Sequence, residues 1–137
     1  MKKRIASILL MIAMCSTGFS SFASDEQPEL IKGFATAYNG PTDTTCTGEK
    51  VRKGICGGCE AYLGKTIILY QRLPNDEIGQ IIGIYECLDT GTGTEGFQQG
   101  RVIDVWMPED ELQDFMDRVY EDGCHGKVWI EVLDAEG

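Results

Sequence analysis

Gln80-Ile81-Ile82-Gly83-Ile84-Tyr85-Glu86-Cys87-Leu88-Asp89-Thr90-Gly91-Thr92-Gly93 is followed, after a short spacer, by Gly100-Arg101-Val102-Ile103-Asp104-Val105-Trp106-Met107. Both stretches are rich in β-branched and aromatic residues, as strands are, and a glycine-rich loop joins them. Each carries one aspartate: Asp89 at the end of the first run, Asp104 inside the second. A carboxylate flanked by Ile103, Val105 and Trp106 is poorly placed for solvation. Such a group tends to have a raised pKa, which is what a general acid needs.

Working outward, further strands are predicted. Gly33-Phe34-Ala35-Thr36-Ala37-Tyr38-Asn39 reads as one, and Thr66-Ile67-Ile68-Leu69-Tyr70 as a buried one. Pro74-Asn75-Asp76 is a hairpin turn leading into Gln80–Leu88, and Lys127–Leu133 alternates as a closing strand. Asn39 to Gly58 reads as loop, with a short strand near Lys50-Val51-Arg52, and Thr90 to Gln99 reads as loop. One helix is predicted near the C-terminus. Pro108 fits its first position, Glu109, Asp110 and Glu111 suit the positive end of its dipole, and Gly123 ends it. Leu112, Phe115, Met116, Val119 and Tyr120 recur at helical spacing and make its apolar face. Six or so short strands with one helix point to a mainly β fold, a small closed barrel.

Residues 1–23 read as a signal peptide. Lys2, Lys3 and Arg4 are its basic start, Ile5 to Met14 its apolar core, and Ser21-Phe22-Ala23 its cleavage site. The apolar run is too short to span a membrane, and no other stretch offers a transmembrane segment. An alternative reading makes Cys15 an acylated lipoprotein cysteine; Met14 before it is a poor fit to the small residue that processing prefers. Residues 24–32 form a polar lead-in containing Pro28, and residues 33–137 the single domain. Removing the three leader cations from the chain's 12 leaves nine against 22 acidic residues, a mature charge of −13. That argues against nucleic acid and anionic lipid as partners, both of which need clustered Lys and Arg.

Five cysteines remain after the leader: Cys46, Cys56, Cys59, Cys87 and Cys124. Export makes at least one disulfide the expectation, with connectivity open. Cys56-Gly57-Gly58-Cys59 is a C-x-x-C, but its two glycines disfavour the helix start of a thioredoxin-type motif. A zinc site would want a second C-x-x-C or a histidine pair, and the only histidine is His125. No metal and no cofactor are expected.

Five short motifs, in order, carry a resemblance: Gly33 to Tyr38, Thr47-Gly48, Leu63-Gly64-Lys65-Thr66, Asp89-Thr90-Gly91, and Gly100-Arg101-Val102-Ile103-Asp104. They resemble the bacterial 3D (three-aspartate) domain, related to peptidoglycan lytic transglycosylase A and to stationary-phase survival cell-wall enzymes. The resemblance covers about Gly33 to Leu133. It implies a six-stranded double-psi β-barrel and a secreted, cell-wall-associated protein. It also implies peptidoglycan or another cell-wall polysaccharide as partner. Asp104 matches the family's catalytic aspartate in its R-(I/V)-D motif, and Asp89 the aspartate of its D-T-G-G motif. Two features depart from the pattern. Thr92 replaces the second glycine. The segment Cys56 to Tyr62 lacks the first aspartate, whose place Glu60 would take.

By this resemblance the expected activity is lytic cleavage of the glycan strand, with Asp104 as the acid and base and Asp89 as a second carboxylate beside it. Glu60, Tyr38, Tyr62 and Trp106 are the candidate substrate-binding residues, the aromatics by stacking on sugar faces. Each has a plain structural alternative: a turn aspartate at Asp89, a buried acceptor at Asp104, core or rim packing for the aromatics. The missing acid favours a different class, a non-catalytic polysaccharide-binding barrel; Asp89 and Asp104 favour the enzyme. Leu88-Asp89-Thr90-Gly91 also looks like an aspartic protease signature. The apolar-apolar-Gly segment that such proteins place after it stands before it here, as Ile81-Ile82-Gly83.

Overall fold

The structure, a computed structural model, describes residues 29–40, 44–90 and 95–134. The expected signal peptide lies outside the described residues. Six strands close into a barrel: β1 (Leu30–Tyr38), β2 (Ile55–Gly58), β3 (Thr66–Arg72), β4 (Ile78–Thr90), β5 (Val102–Trp106) and β6 (Lys127–Leu133). Their order around the barrel is β1-β5-β2-β4-β3-β6. Closure leaves no exposed sheet edge. Two neighbour pairs are parallel, β1 with β5 and β2 with β4; the pairings β2–β5, β3–β4, β3–β6 and β1–β6 are antiparallel.

Period-two alternation decides which side chains enter the barrel. Ile67 and Leu69 of β3, Ile103 and Val105 of β5, and Val128 and Ile130 of β6 are completely buried, as is Ile55 of β2. Residues between them face outward. Gly33 is required where β1 meets the barrel interior: a Cβ there would stand 2.4 Å from the Arg101 carbonyl oxygen and 2.5 Å from Ile130 Cδ1. A buried Arg72 ties three strands, donating to the Val128 and Gly33 carbonyls and pairing with Asp76 at 3.2 Å.

Several expectations need correction. β1 begins at Leu30, so residues 30–32 are not lead-in; Leu30 to Phe34 pair with β6. Ile55–Gly58 is a strand where loop was expected, while Lys50 makes only an isolated bridge with Thr44. β4 runs on through Asp89 to Thr90. The loop before β5 contains a short helix, α1 (Glu95–Gln98), so the described residues hold two α-helices. The longer helix, α2 (Glu109–Tyr120), is not C-terminal, because β6 follows it. Pro108 is its N-cap rather than its first helical residue. The helix stops at Tyr120, and a 3-10 turn over Glu121–Gly123, with Asp122 at φ 58°, carries the chain to Cys124. Phe115 and Val119 are the buried face, with Leu112 and Met116 partly buried against the barrel. Tyr120, expected on that face, is half exposed. Among the described residues no helix is long and apolar enough to cross a membrane.

Candidate functional site

Four strands carry one continuous row across the barrel's outer face. Thr36 of β1 is the register partner of Asp104 of β5. Asp104 is the partner of Gly57 of β2, and Gly57 is the partner of Asp89 of β4. The row is therefore Thr36, Asp104, Gly57, Asp89. With ~4.8 Å between neighbouring strands, the two aspartate backbones stand roughly 9–10 Å apart. Between them is a residue with no side chain. A Cβ built on Gly57 would lie 3.6 Å from Asp89 Cβ, so it would share the carboxylates' face.

Each carboxylate is oriented by hydrogen bonds. Thr36 Oγ1 donates to Asp104 Oδ1 at 2.7 Å. Asp89 Oδ1 accepts from two backbone amides, Thr90 N–H at 2.9 Å and Cys46 N–H at 3.0 Å. The second donor belongs to a tight turn over Thr45 to Glu49, closed by Gly48 N–H to the Thr45 carbonyl at 2.9 Å. Thr47 Oγ1 also donates to the Leu88 carbonyl at 3.2 Å, which docks this turn onto the end of β4. The Thr47-Gly48 motif thus serves to hold Asp89.

Burial raises the Asp104 pKa above the usual carboxylate range; the Thr36 hydrogen bond opposes this, and the nearby Asp89 charge adds to it. The direction is the one expected. Ile103 and Val105 are fully buried on the opposite, inner face. Of the apolar sequence neighbours, only Trp106 shares the outer face with Asp104.

The other candidates fall around this row. Tyr38 is the register partner of Trp106, two residues beyond Thr36 and Asp104 on the same face. The Tyr38 phenol pKa is pushed well up, by burial first and then by Asp89 and Asp104. Trp106 Nε1 donates to the Gly40 carbonyl at 3.0 Å and so fixes the end of β1. Tyr62 is engaged elsewhere: its hydroxyl donates to the Gly100 carbonyl at 2.9 Å, and its ring covers Gly58. Glu60 is exposed on a 3-10 turn over Glu60–Tyr62. It lines a cleft of about 500 Å³ with Thr90, Phe97 and Gln98, next in sequence to Asp89. The groups that act on the Asp104 carboxyl are Thr36 and Asp89; Glu60 is not among them.

Residue-level reading of the sequence missed Thr36, Gly57 and the thiols. The signal for Thr36 was its polar position between Ala35 and Ala37 in an alternating strand. Gly57 was hidden because Cys-Gly-Gly-Cys resembles a turn. Cys56 and Cys87, both completely buried, are register partners in β2 and β4. Their side chains interact directly, which pushes the Cys56 thiol up and Cys87 down. All five described cysteines are free thiols. Among the described residues no group of three or more metal-binding side chains converges.

No protein-family profile matches this chain, and no curated protein is similar enough to match it.

Proposed function

We propose that this is an extracytoplasmic, cell-wall-associated protein that cleaves the glycan strand of peptidoglycan in the manner of a lytic transglycosylase. The barrel is read as the double-psi type of the 3D family. Its closed six-strand order and its two parallel pairs, β1–β5 and β2–β4, support that reading. The observation that carries the function is the row of Thr36, Asp104, Gly57 and Asp89. It provides two oriented carboxylates on one face of the barrel, with a glycine and no side chain between them.

In this reading Asp104, whose burial favours its protonated form, gives its proton to the glycosidic oxygen as the C1–O bond breaks. The muramyl 6-hydroxyl oxygen then bonds to C1, and its proton passes to the Asp104 carboxylate, closing a 1,6-anhydro ring and restoring the acid. No water is consumed. Asp89, fixed by two backbone amides, stabilises the positive charge that develops at C1 and accepts sugar hydroxyls. General acid–base action contributes ~10²–10⁴-fold, so binding along the groove must supply the remainder.

One observation favours a second reading, a non-catalytic polysaccharide-binding barrel. The segment Cys56 to Tyr62, part of which is β2, has no aspartate in the position of the family's first acid. Digestion of purified peptidoglycan separates the two. Released muropeptides bearing 1,6-anhydro ends support the enzyme. Co-sedimentation with the wall and no released product would support the binder.

A further inference from the structure

Tyr38 carries a buried hydroxyl at the centre of this site. Among the buried side-chain nitrogen and oxygen atoms described, the Tyr38 hydroxyl oxygen is the one with no hydrogen-bond partner. Tyr38 lies two register positions beyond the Thr36–Asp104 pair on the same face, yet its hydroxyl makes no hydrogen bond of ordinary geometry. Buried polar groups are almost always satisfied, and each exception costs stability, so an exception inside a cluster of carboxylates calls for a role. Other tyrosines of the chain do not share this condition. Tyr62 donates to Gly100 and Tyr70 donates to Glu131 at 2.8 Å.

We infer that Tyr38 is a ligand-binding residue of this site, its unpaired hydroxyl turning outward on binding to donate a hydrogen bond to an uncharged oxygen of a bound saccharide. This rests on the glycan reading above and deepens it. The chemistry follows from what surrounds the hydroxyl. Asp89 and Asp104 accept hydrogen bonds, and Tyr38 is a donor on the same outer face, two register positions beyond Asp104. A sugar offers hydroxyl donors and an acceptor oxygen together, and so meets all three groups at once. An anionic group on the ligand would face two carboxyls and a chain of net charge −10. The oxygen received by Tyr38 is therefore a hydroxyl, ring, glycosidic or amide carbonyl oxygen. Tyr38 thus supplies the polar contact, rather than the stacking face, that the sequence alone suggested for it.

The test is Tyr38→Phe in the full chain, with thermal unfolding and equilibrium binding measured together. The probes are a β-1,4-linked N-acetylglucosamine tetramer and a peptide-free glycan strand released from peptidoglycan. The expected result is an unfolding temperature equal to or above wild type, with glycan affinity reduced about ten-fold, the worth of one hydrogen bond. Unchanged affinity in the variant would overturn the role of Tyr38 and leave the glycan reading standing. A clearly lowered unfolding temperature would show that the hydroxyl closes onto Asp89 as a structural bond, and would overturn it too. If wild type bound neither glycan, the peptidoglycan reading would fail by itself. Unfolding would then still decide whether the hydroxyl is unpaired, since an unchanged or raised temperature supports it and a lowered one refutes it.

Discussion

Thr36 donates its hydroxyl hydrogen to Asp104 Oδ1 at 2.7 Å across the parallel pair β1 and β5. This bond favours the charged form of a carboxyl that burial and Asp89 push the other way. Thr36→Val removes the donor and keeps the β-branched shape. The Asp104 pKa then rises further, and a general acid stays protonated to higher pH. The alkaline limb of the pH profile of kcat/KM on peptidoglycan is expected to move upward. A profile that falls in height without moving would show that Thr36 does not tune the acid.

The same raised pKa has a consequence for stability. An acid whose folded pKa lies above its unfolded value binds more protons in the native state. Stability then falls as pH rises from the unfolded value, ~3.9, through the folded one, and the penalty persists above it. Asp104→Asn cannot ionise, and its amide oxygen can still accept from Thr36. The variant is expected to unfold at a higher temperature than wild type at pH 7, with the difference shrinking toward pH 3. A variant less stable than wild type at neutral pH would show that ionised Asp104 contributes to the fold.

Gly57 is expected to act through the space it leaves. Its ideal Cβ meets Asp89 at 3.6 Å, an ordinary contact, so Gly57→Ala should fold normally and retain binding. Gly57→Leu would project between Asp89 and Asp104 and is expected to abolish glycan binding, at a cost in stability of roughly 1–3 kcal/mol because Gly57 is itself buried. Isothermal titration with a glycan fragment alongside thermal unfolding reads both effects. Full binding by the leucine variant would mean that the ligand does not lie between the carboxylates.

Cys56 and Cys87 are the pair through which the expected disulfide would form. Neighbouring strands hold their Cα atoms ~4.8 Å apart, within the ~4.4–6.8 Å that a disulfide spans. Oxidation by a small-molecule disulfide would remove two hydrogens from the thiols and release two small thiols. Closing that loop would add roughly 2–4 kcal/mol. Peptide mapping of the protein purified without reductant after exposure to a small-molecule disulfide is expected to show Cys56 joined to Cys87. Recovery of both as separately alkylated thiols would refute the pairing.

Much of the barrel was legible because β-branched and aromatic runs mark buried strands. β6 falls where its alternation put it, at Lys127–Leu133. β2 was not legible. Its Ile-Cys-Gly-Gly sequence lacks alternation, and its glycines answer tertiary demands: Gly57 leaves room between two carboxylates, and a Cβ on Gly58 would meet the Tyr62 ring at 3.1 Å. Missing β2 hid the link between Asp89 and Asp104, since Gly57 is what sets them in one row. The aspartates themselves were legible as motif residues. Their hydrogen-bond partners Cys46 and Thr36 were not, because they come from segments 43 and 68 residues away.

The central claim is that Asp104 is the acid and base of glycan cleavage, and mass analysis of the muropeptides released by wild type and Asp104→Asn tests it most directly. Wild type is expected to release 1,6-anhydro muropeptides. Asp104→Asn, folded by the same thermal criterion, is expected to release at least 100-fold less, because an amide keeps the shape but cannot give up the required proton. Equal release by the two proteins would remove Asp104 from the mechanism, and absence of anhydro products from wild type would contradict the enzymatic account itself.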